Sequence, residues 1–137
     1  MSKSIQLSLK AGERLFVNGA VIRVHRKATL ELLNDAVFLL ESHVMQVEET
    51  TTPIRQLYFV AQTILMDPRN AAETRALFGH LLGRTISAFQ GPVHDTLEAV
   101  GSLVAGDRPF EALKMLRALF PVEDAIIAGR TIAARAA

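Results

Sequence analysis

The sequence contains no cysteine, which excludes a disulfide framework, a thiolate nucleophile and a zinc–thiolate site. Long apolar runs are missing too, since no segment approaches the roughly 20 residues that a membrane-spanning helix requires. The first ten residues, MSKSIQLSLK, lack the apolar stretch of a secretory signal. These absences predict a cytoplasmic protein that has no membrane segment.

Motifs that bind phosphates or form catalytic sites are also missing. The chain has no G-x-x-x-x-G-K-[ST], G-x-G-x-x-G or G-x-S-x-G element. A metal site would need ligands from distant segments, because no H-x-H or H-E-x-x-H spacing occurs among the four histidines, His25, His43, His80 and His94. We therefore predict that the protein is not an enzyme and binds no metal or cofactor.

The formal net charge of the 137-residue chain is only +1, but its charges are unevenly distributed. Residues 1–30 contain six cations and a single acid, Glu13, which gives +5 and leaves −4 for the remainder. Such a split indicates a charged partner, most often nucleic acid or an anionic surface. The alternative is a solvated basic face that binds nothing.

The spacing of apolar residues changes near residues 45–53, MQVEETTTP. Before this segment apolar and polar residues alternate, which is typical of strands, and after it they recur every three or four residues, which is typical of helices. We predict an α+β fold in a single domain over residues 1–137. A small antiparallel sheet of four to five strands occupies residues 1–47, and a helical lobe of four to five helices occupies residues 48–137. The predicted helices cover residues 53–66, 70–89, 93–105, 109–119 and a last segment from about 122.

The dipeptide Asn18-Gly19 predicts a tight β-hairpin, because both residues accept the positive φ angles of a type I′ turn. The turn places three pairs of residues opposite each other: Val17 and Ala20, Leu15 and Ile22, and Arg14 and Arg23. The face predicted to be buried carries Leu15, Val17, Ala20, Ile22 and Val24.

A three-residue loop over residues 25–27 is predicted to lead into the next strand of the same sheet. This register pairs Ile22 with Leu30 and Ala20 with Leu32. A two-residue loop would instead place Glu31 on the apolar face, and a slip of one residue moves every side chain to the other face. The basic loop therefore projects from the sheet.

The predicted hairpin places Arg14 directly opposite Arg23, and like charges in that position destabilise a strand pair. Two groups could offset the repulsion. One is Glu31, which lies diagonal to Arg23 in the predicted register. The other is a bound polyanion, which would also contact Arg26 and Lys27. The sequence leaves both possibilities open.

The segment AVFLL at residues 36–40 is apolar on both faces of a predicted strand. We expect Val37 and Leu39 to face the sheet core, so that Phe38 and Leu40 need a cover from the helical lobe or from a second subunit. Open sheet edges also need protection in an isolated protein. These features predict a symmetric homodimer.

Three segments of the chain look familiar together: LSLKAGERLFVNGAVIRV at 7–24, TTPIRQLYFVAQ at 51–62 and FEALKMLRALFPVED at 110–124. They resemble the FlbT family, the flagellar biosynthesis repressor proteins of alphaproteobacteria. The first two are moderately specific, whereas the third is a generic amphipathic helix. The resemblance implies post-transcriptional control through the 5′ untranslated leader of flagellin mRNA, by promoting its degradation or, in some relatives, by aiding its expression. The resemblance implies no catalytic residues.

This implied function directs attention to the basic hairpin. Lysine and arginine supply salt-dependent contacts to RNA phosphates, and unpaired bases stack on aromatic rings or guanidinium planes. Phe16 is the stacking candidate because it lies between two arginines on the polar face. The predicted RNA-binding residues are Lys10, Arg14, Phe16, Arg23, Arg26 and Lys27.

A competing hypothesis is a protein-interaction module that holds flagellin or another flagellar regulatory protein without contacting RNA. The positions of the cations in space distinguish the two. One continuous patch favours RNA, and a scattered arrangement favours the interaction module. The cations concerned are Lys10, Arg14, Arg23, Arg26 and Lys27.

Overall fold

The computed structural model describes residues 4–34 and 38–136, the last six as helix backbone. Five strands precede four α-helices, which confirms the predicted α+β fold. The strands are β1 (Ile5–Leu9), β2 (Arg14–Val17), β3 (Ala20–Arg23), β4 (Ala28–Leu32) and β5 (Phe38–Leu40). The helices are α1 (Pro53–Met66), α2 (Ala71–Ile86), α3 (Pro92–Ala105) and α4 (Pro109–Ala136). Short 3-10 turns occupy Glu41–His43, Val47–Glu49 and Pro68–Asn70.

The hairpin between β2 and β3 has the predicted turn and register. Asn18 and Gly19 both adopt positive φ angles, 47° and 85°, as a type I′ turn requires. Arg14 lies opposite Arg23, as expected. The tip of the hairpin packs on the helical lobe, since a Cβ atom at Gly19 would lie 3.4 Å from the ring of Pro68.

The predicted pairing of the third and fourth strands is wrong. β4 pairs with β1, from Ile5 opposite Leu32 to Leu9 opposite Ala28. β2 lies between β3 and β5 in a second, three-stranded sheet. The alternation of apolar residues shows which face of a strand is buried, but it does not show which strand is the neighbour.

The predicted burial of β3 is also wrong. All four of its residues are exposed, and Ile22 keeps 44% of its surface accessible. The apolar face that β4 needs is supplied instead by β1, whose Leu7 and Leu9 are buried. In the hairpin itself Leu15 is the buried side chain of the predicted face, while Val17 is only half-buried. β3 is therefore an edge strand that covers little of the core.

Two clusters of buried side chains meet at β5. Phe38 lies in the cluster between the two sheets, and Leu39 lies in the larger cluster among the helices. This is the reverse of the predicted orientation, and Val37 lies outside the described residues. Phe110 of α4 contacts both clusters, and its ring centre is 5.0 Å from that of Phe38. The two described faces of β5 are thus covered within one chain, so β5 gives no reason to require a second subunit.

The helices follow the predicted stripes with small changes at their ends. α1 begins as predicted, with Thr52 as N-cap accepting a hydrogen bond from the Arg55 amide and Pro53 in the first turn. α2 ends at Ile86, three residues before the predicted end. Within the described ranges no helix is both long and apolar enough to cross a membrane.

α4 runs without a break through Pro121, so the predicted end at residue 119 is wrong. A proline inside a helix costs roughly 3 kcal/mol, and the sequence alone therefore favours a break. The residue that favours continuity is Glu123, whose side chain is fully buried. Its carboxylate accepts hydrogen bonds from the Ile54 amide at 2.8 Å and from the Thr52 hydroxyl, and it lies 3.3 Å from the Arg55 guanidinium.

Glu123 therefore supplies an acceptor and a negative charge at the N-terminus of α1, where helix amides lack partners. We expect Glu123→Ala to lower the free energy of unfolding by at least about 2 kcal/mol, because buried donors at α1 lose their acceptor. Asp124→Ala is the matched control. Asp124 also pairs with Arg55, at 2.8 Å, but its side chain is 56% exposed, and exposed pairs contribute at most about 1 kcal/mol. Equal losses in urea unfolding of the two variants would contradict this role of Glu123.

Candidate nucleic-acid interface

The register of the strands collects the N-terminal cations at one end of the two sheets. The last pair of β1 and β4 is Leu9 and Ala28, so the next residues on the two strands are Lys10 and Lys27. Hydrogen bonds between the neighbouring segments connect the Gly12 amide to the Val24 carbonyl at 2.7 Å and the Val24 amide to the Glu13 carbonyl at 3.2 Å. Residues 10–14 and 23–27 therefore lie side by side. We call this surface the basic end, with Lys10, Arg14, Arg23, Arg26 and Lys27.

Four cations of the basic end are free to meet an external anion. Lys10, Arg23, Arg26 and Lys27 are exposed. None of them takes part in an ion pair with another residue that the structure describes. The Asn18-Gly19 turn, at the other end of the hairpin, contacts the helical lobe. The basic end therefore lies at the end of the hairpin opposite that contact.

Arg14 has a structural partner instead. Its guanidinium Nε lies 2.9 Å from Glu41, and its amide donates to the other carboxylate oxygen of Glu41 at 3.0 Å. These two hydrogen bonds from Arg14 hold the pKa of Glu41 below its ordinary value, and the charge of Arg23 acts in the same direction. Glu41 thus offsets the repulsion between the paired arginines. The acid predicted for this role, Glu31, lies opposite Gln6 in the other sheet.

Phe16 lies on the helical side of its strand. It is half-buried, pairs with Leu39 and packs against the helical core. The guanidinium of Arg14 is 5.9 Å from its ring centre. Part of the ring thus contributes to packing, and its predicted role in stacking an RNA base stays a prediction.

A groove of about 160 Å³ lies between α4, α1 and the segment that runs from Leu39 to His43. We call it the α4 groove; its lining residues are Leu39, His43, Tyr58, Phe110, Leu113, Lys114 and Arg117. No sequence motif marks this groove, because its walls come from three separate segments. The spacing of Phe110, Lys114 and Arg117 on one helix face was the available signal.

Arg117 organises the floor of the α4 groove. Its guanidinium lies 5.1 Å from the ring centre of Tyr58 and donates to the Tyr58 hydroxyl and, at 3.1 Å, to the His43 carbonyl. The Tyr58 hydroxyl donates to the same carbonyl at 2.6 Å. Near the rim, the Lys114 ammonium lies 4.8 Å from the ring centre of Phe110. The groove thus combines flat apolar surfaces with two positive charges.

The titration of His43 reflects this environment. Burial lowers the pKa of His43 from its ordinary value, and the positive charge of Arg117 lowers it further. Burial also raises the pKa of Tyr58. At neutral pH the groove therefore holds an uncharged imidazole and an uncharged phenol beside a charged guanidinium.

Among the described residues, His94, Asp95 and Glu98 of α3 form a cluster whose donor atoms lie within 4.8 Å of one another. The two carboxylates are exposed on a single stretch of helix surface. Three such ligands would leave much of the coordination shell of a cation to water. We assign no metal to this cluster.

Comparison with known proteins places the chain among flagellar proteins. Residues 5–127 match the sequence profile of the family described as "Flagellar protein FlbT". The "Probable flagellum biosynthesis repressor protein FlbT" of Brucella anthropi is 51% identical over 121 residues, covering 88% of this chain and 80% of that protein. The protein of the same name from Allorhizobium ampelinum is 45% identical over 134 residues, which cover 97% of this chain and 90% of that protein. No solved structure gives a significant match.

The contact between Arg117 and His43 gives a testable expectation. Arg117→Gln removes the positive charge beside the imidazole, so the pKa of His43 should rise toward its ordinary value. Because the folded-state pKa is lowered, the contribution of His43 to stability is present above its unfolded-state pKa and is lost as the pH falls through the folded-state pKa. NMR titration of the imidazole signals of both proteins measures the shift. A pKa that stays the same or falls further would contradict the proximity of the two groups.

Proposed function

Because the chain belongs to the FlbT family of flagellar proteins, we propose that it is a non-enzymatic, post-transcriptional regulator of flagellum biogenesis. It associates in the cytoplasm with the 5′ untranslated leader of flagellin mRNA and changes the stability or translation of that message. The relatives are named as flagellum biosynthesis repressors, which supports the regulatory part of the proposal. The RNA-binding part rests on the basic end.

The observation that carries the proposal is the set of four exposed cations at the basic end. Lys10, Arg23, Arg26 and Lys27 form no ion pair among the residues that the structure describes, and only Arg23 has a weaker electrostatic interaction, with Glu41, so their charges are available to phosphates. Arg14 is held by Glu41 and positions the neighbouring strand. Each phosphate contact to single-stranded RNA contributes a slope of about −0.7 to the dependence of log affinity on log salt.

Double charge reversal tests the basic end. We expect Arg26→Glu combined with Lys27→Glu to weaken binding of the flagellin leader and to flatten the salt slope by roughly one to two units. Thermal stability should hardly change, because both residues lie in an exposed connection. Fluorescence anisotropy of a labelled leader at several salt concentrations, with an unrelated RNA as reference, measures both effects.

The matched control is Arg69→Glu combined with Arg84→Glu, which makes the same change in net charge on exposed residues of the helical lobe. This control should retain most of the affinity. Equal affinity of the folded Arg26/Lys27 variant and the parent protein would remove the basic end from the site. Capture of flagellin or of another flagellar regulatory protein, without RNA binding, would instead support the interaction module.

We also propose a symmetric homodimer formed through β3. This strand pairs only with β2 among the described strands, and Val21 and Ile22 keep 60% and 44% of their surface exposed. An open edge with apolar side chains is suited to pairing with another strand. Antiparallel pairing of two copies would set two basic ends on one particle, which raises the effective concentration of the second end on a single RNA.

Light scattering tests the dimer. The parent protein should have twice the chain mass of 15.0 kDa at micromolar concentration. Val21→Lys, which places a charge on the proposed interface, should shift the mass to that of one chain. A matched change at the exposed Leu77 of α2, Leu77→Lys, should leave the dimer intact. A single-chain mass for the parent protein at all concentrations would refute the dimer.

A further inference from the structure

We propose that the α4 groove binds one unpaired base of an RNA strand whose phosphates contact the basic end. This inference rests on the proposed function and adds a second part to its site. It gives the α4 groove, which no sequence motif indicates, a ligand of defined chemistry: a planar base next to a phosphate.

The size and the walls of the α4 groove suit a single planar ring. Its volume is about 160 Å³, and an apolar cavity of about 150 Å³ in a protein is large enough to hold benzene. The ring of Phe110 and the guanidinium of Arg117 line the groove beside apolar Leu39 and Leu113. Unpaired RNA bases stack on surfaces of these two kinds. The Lys114 ammonium lies over the Phe110 ring, so a base that stacks there takes its place and leaves Lys114 to the neighbouring phosphate.

The positive charges of the α4 groove favour a ligand that carries an anionic group. Lys114 and Arg117 lie one helical turn apart, and neither forms an ion pair with any residue in the described ranges. The hydrogen bonds of Arg117 go to uncharged oxygens, and the acid nearest to Lys114 on that helix face, Glu111, pairs with Arg108. A phosphate next to the bound base would neutralise this charge.

A short structural connection joins the α4 groove to the basic end. Arg14 at the basic end binds Glu41, the first residue of the turn whose last residue, His43, lines the groove. The adjoining surface carries Glu49, whose carboxylate accepts from the Gln46 amide at 2.7 Å. An RNA strand that contacts both places would pass the Arg14–Glu41 pair and keep its phosphates on the cations at either side of it, at the basic end and in the α4 groove. An acidic peptide would use the charges but would have less need of the flat guanidinium and aromatic surfaces.

The protein carries its own reporter for the α4 groove, since Tyr58 is the only tyrosine and the chain has no tryptophan. We would titrate the full-length protein with a short single-stranded oligoribonucleotide from the flagellin leader and follow tyrosine emission, corrected for absorption by the RNA. The emission should change to saturation with the midpoint found by anisotropy. Lys114→Gln and Arg117→Lys should each lower the affinity by about fivefold to tenfold, because they remove a phosphate contact and a stacking plane, respectively.

Arg84→Gln and Arg84→Lys, on the exposed surface of α2, are the matched controls and should bind as the parent protein does. Unchanged tyrosine emission and full affinity of both groove variants, with binding still lost in the Arg26/Lys27 variant, would overturn the base pocket and leave the proposed function standing.

The base pocket in the α4 groove can also be supported while the flagellin leader is refuted as its target. Binding of the short oligonucleotide that depends on Lys114, without preference for the flagellin leader, would support the pocket and refute the leader as its target. A tyrosine response to an acidic peptide and to no RNA would overturn the pocket in favour of a protein ligand.

Discussion

The contact between Glu123 and the N-terminus of α1 connects the two helices that form most of the helical core. The fully buried carboxylate of Glu123 accepts from the Ile54 amide and the Thr52 hydroxyl and pairs with Arg55, although the helix that carries it contains a proline two residues earlier. Together with the apolar core that both helices share, this contact holds α4 against α1, and on the same helix Arg117 lies over Tyr58. The groove residue Arg117 and the buried Glu123 thus lie on the same helix, six residues apart.

A second polar contact, between Arg14 and Glu41, stabilises the three-stranded sheet at the end of the hairpin and the turn that follows β5. It relieves the repulsion of the arginines paired in the hairpin and holds the start of the turn that ends at His43. Arg14 thus differs from the other cations of the basic end, because its charge is already used within the fold. The proposed RNA surface consists of the cations of the basic end that form no ion pair with a described residue, together with Lys114 and Arg117 in the groove.

The same distinction explains why a basic hairpin does not by itself establish a binding site. A cation next to a carboxylate in the folded chain contributes to stability, whereas an exposed cation without an acidic neighbour gains most from an external anion. Membership of the FlbT family supplies the flagellar context. The flagellin leader is proposed from the resemblance to that family, and the exposed cations and the aromatic rings beside them are the features that support RNA as the ligand.

Features governed by neighbouring residues could be predicted from the sequence alone. The Asn18-Gly19 turn determines the register of its hairpin, and the apolar stripe and the Thr52 cap determine α1, because backbone preferences and helix periodicity act over a few residues. The partner of β4, the acid bound to Arg14 and the continuity of α4 through Pro121 were decided only by the tertiary structure. Each depends on residues that are distant in sequence: β1 for β4, Glu41 for Arg14, and the α1 N-terminus for Glu123. Burial of apolar surface and buried hydrogen bonds select among such distant partners. The local sequence pattern therefore does not show which distant residue will be the partner.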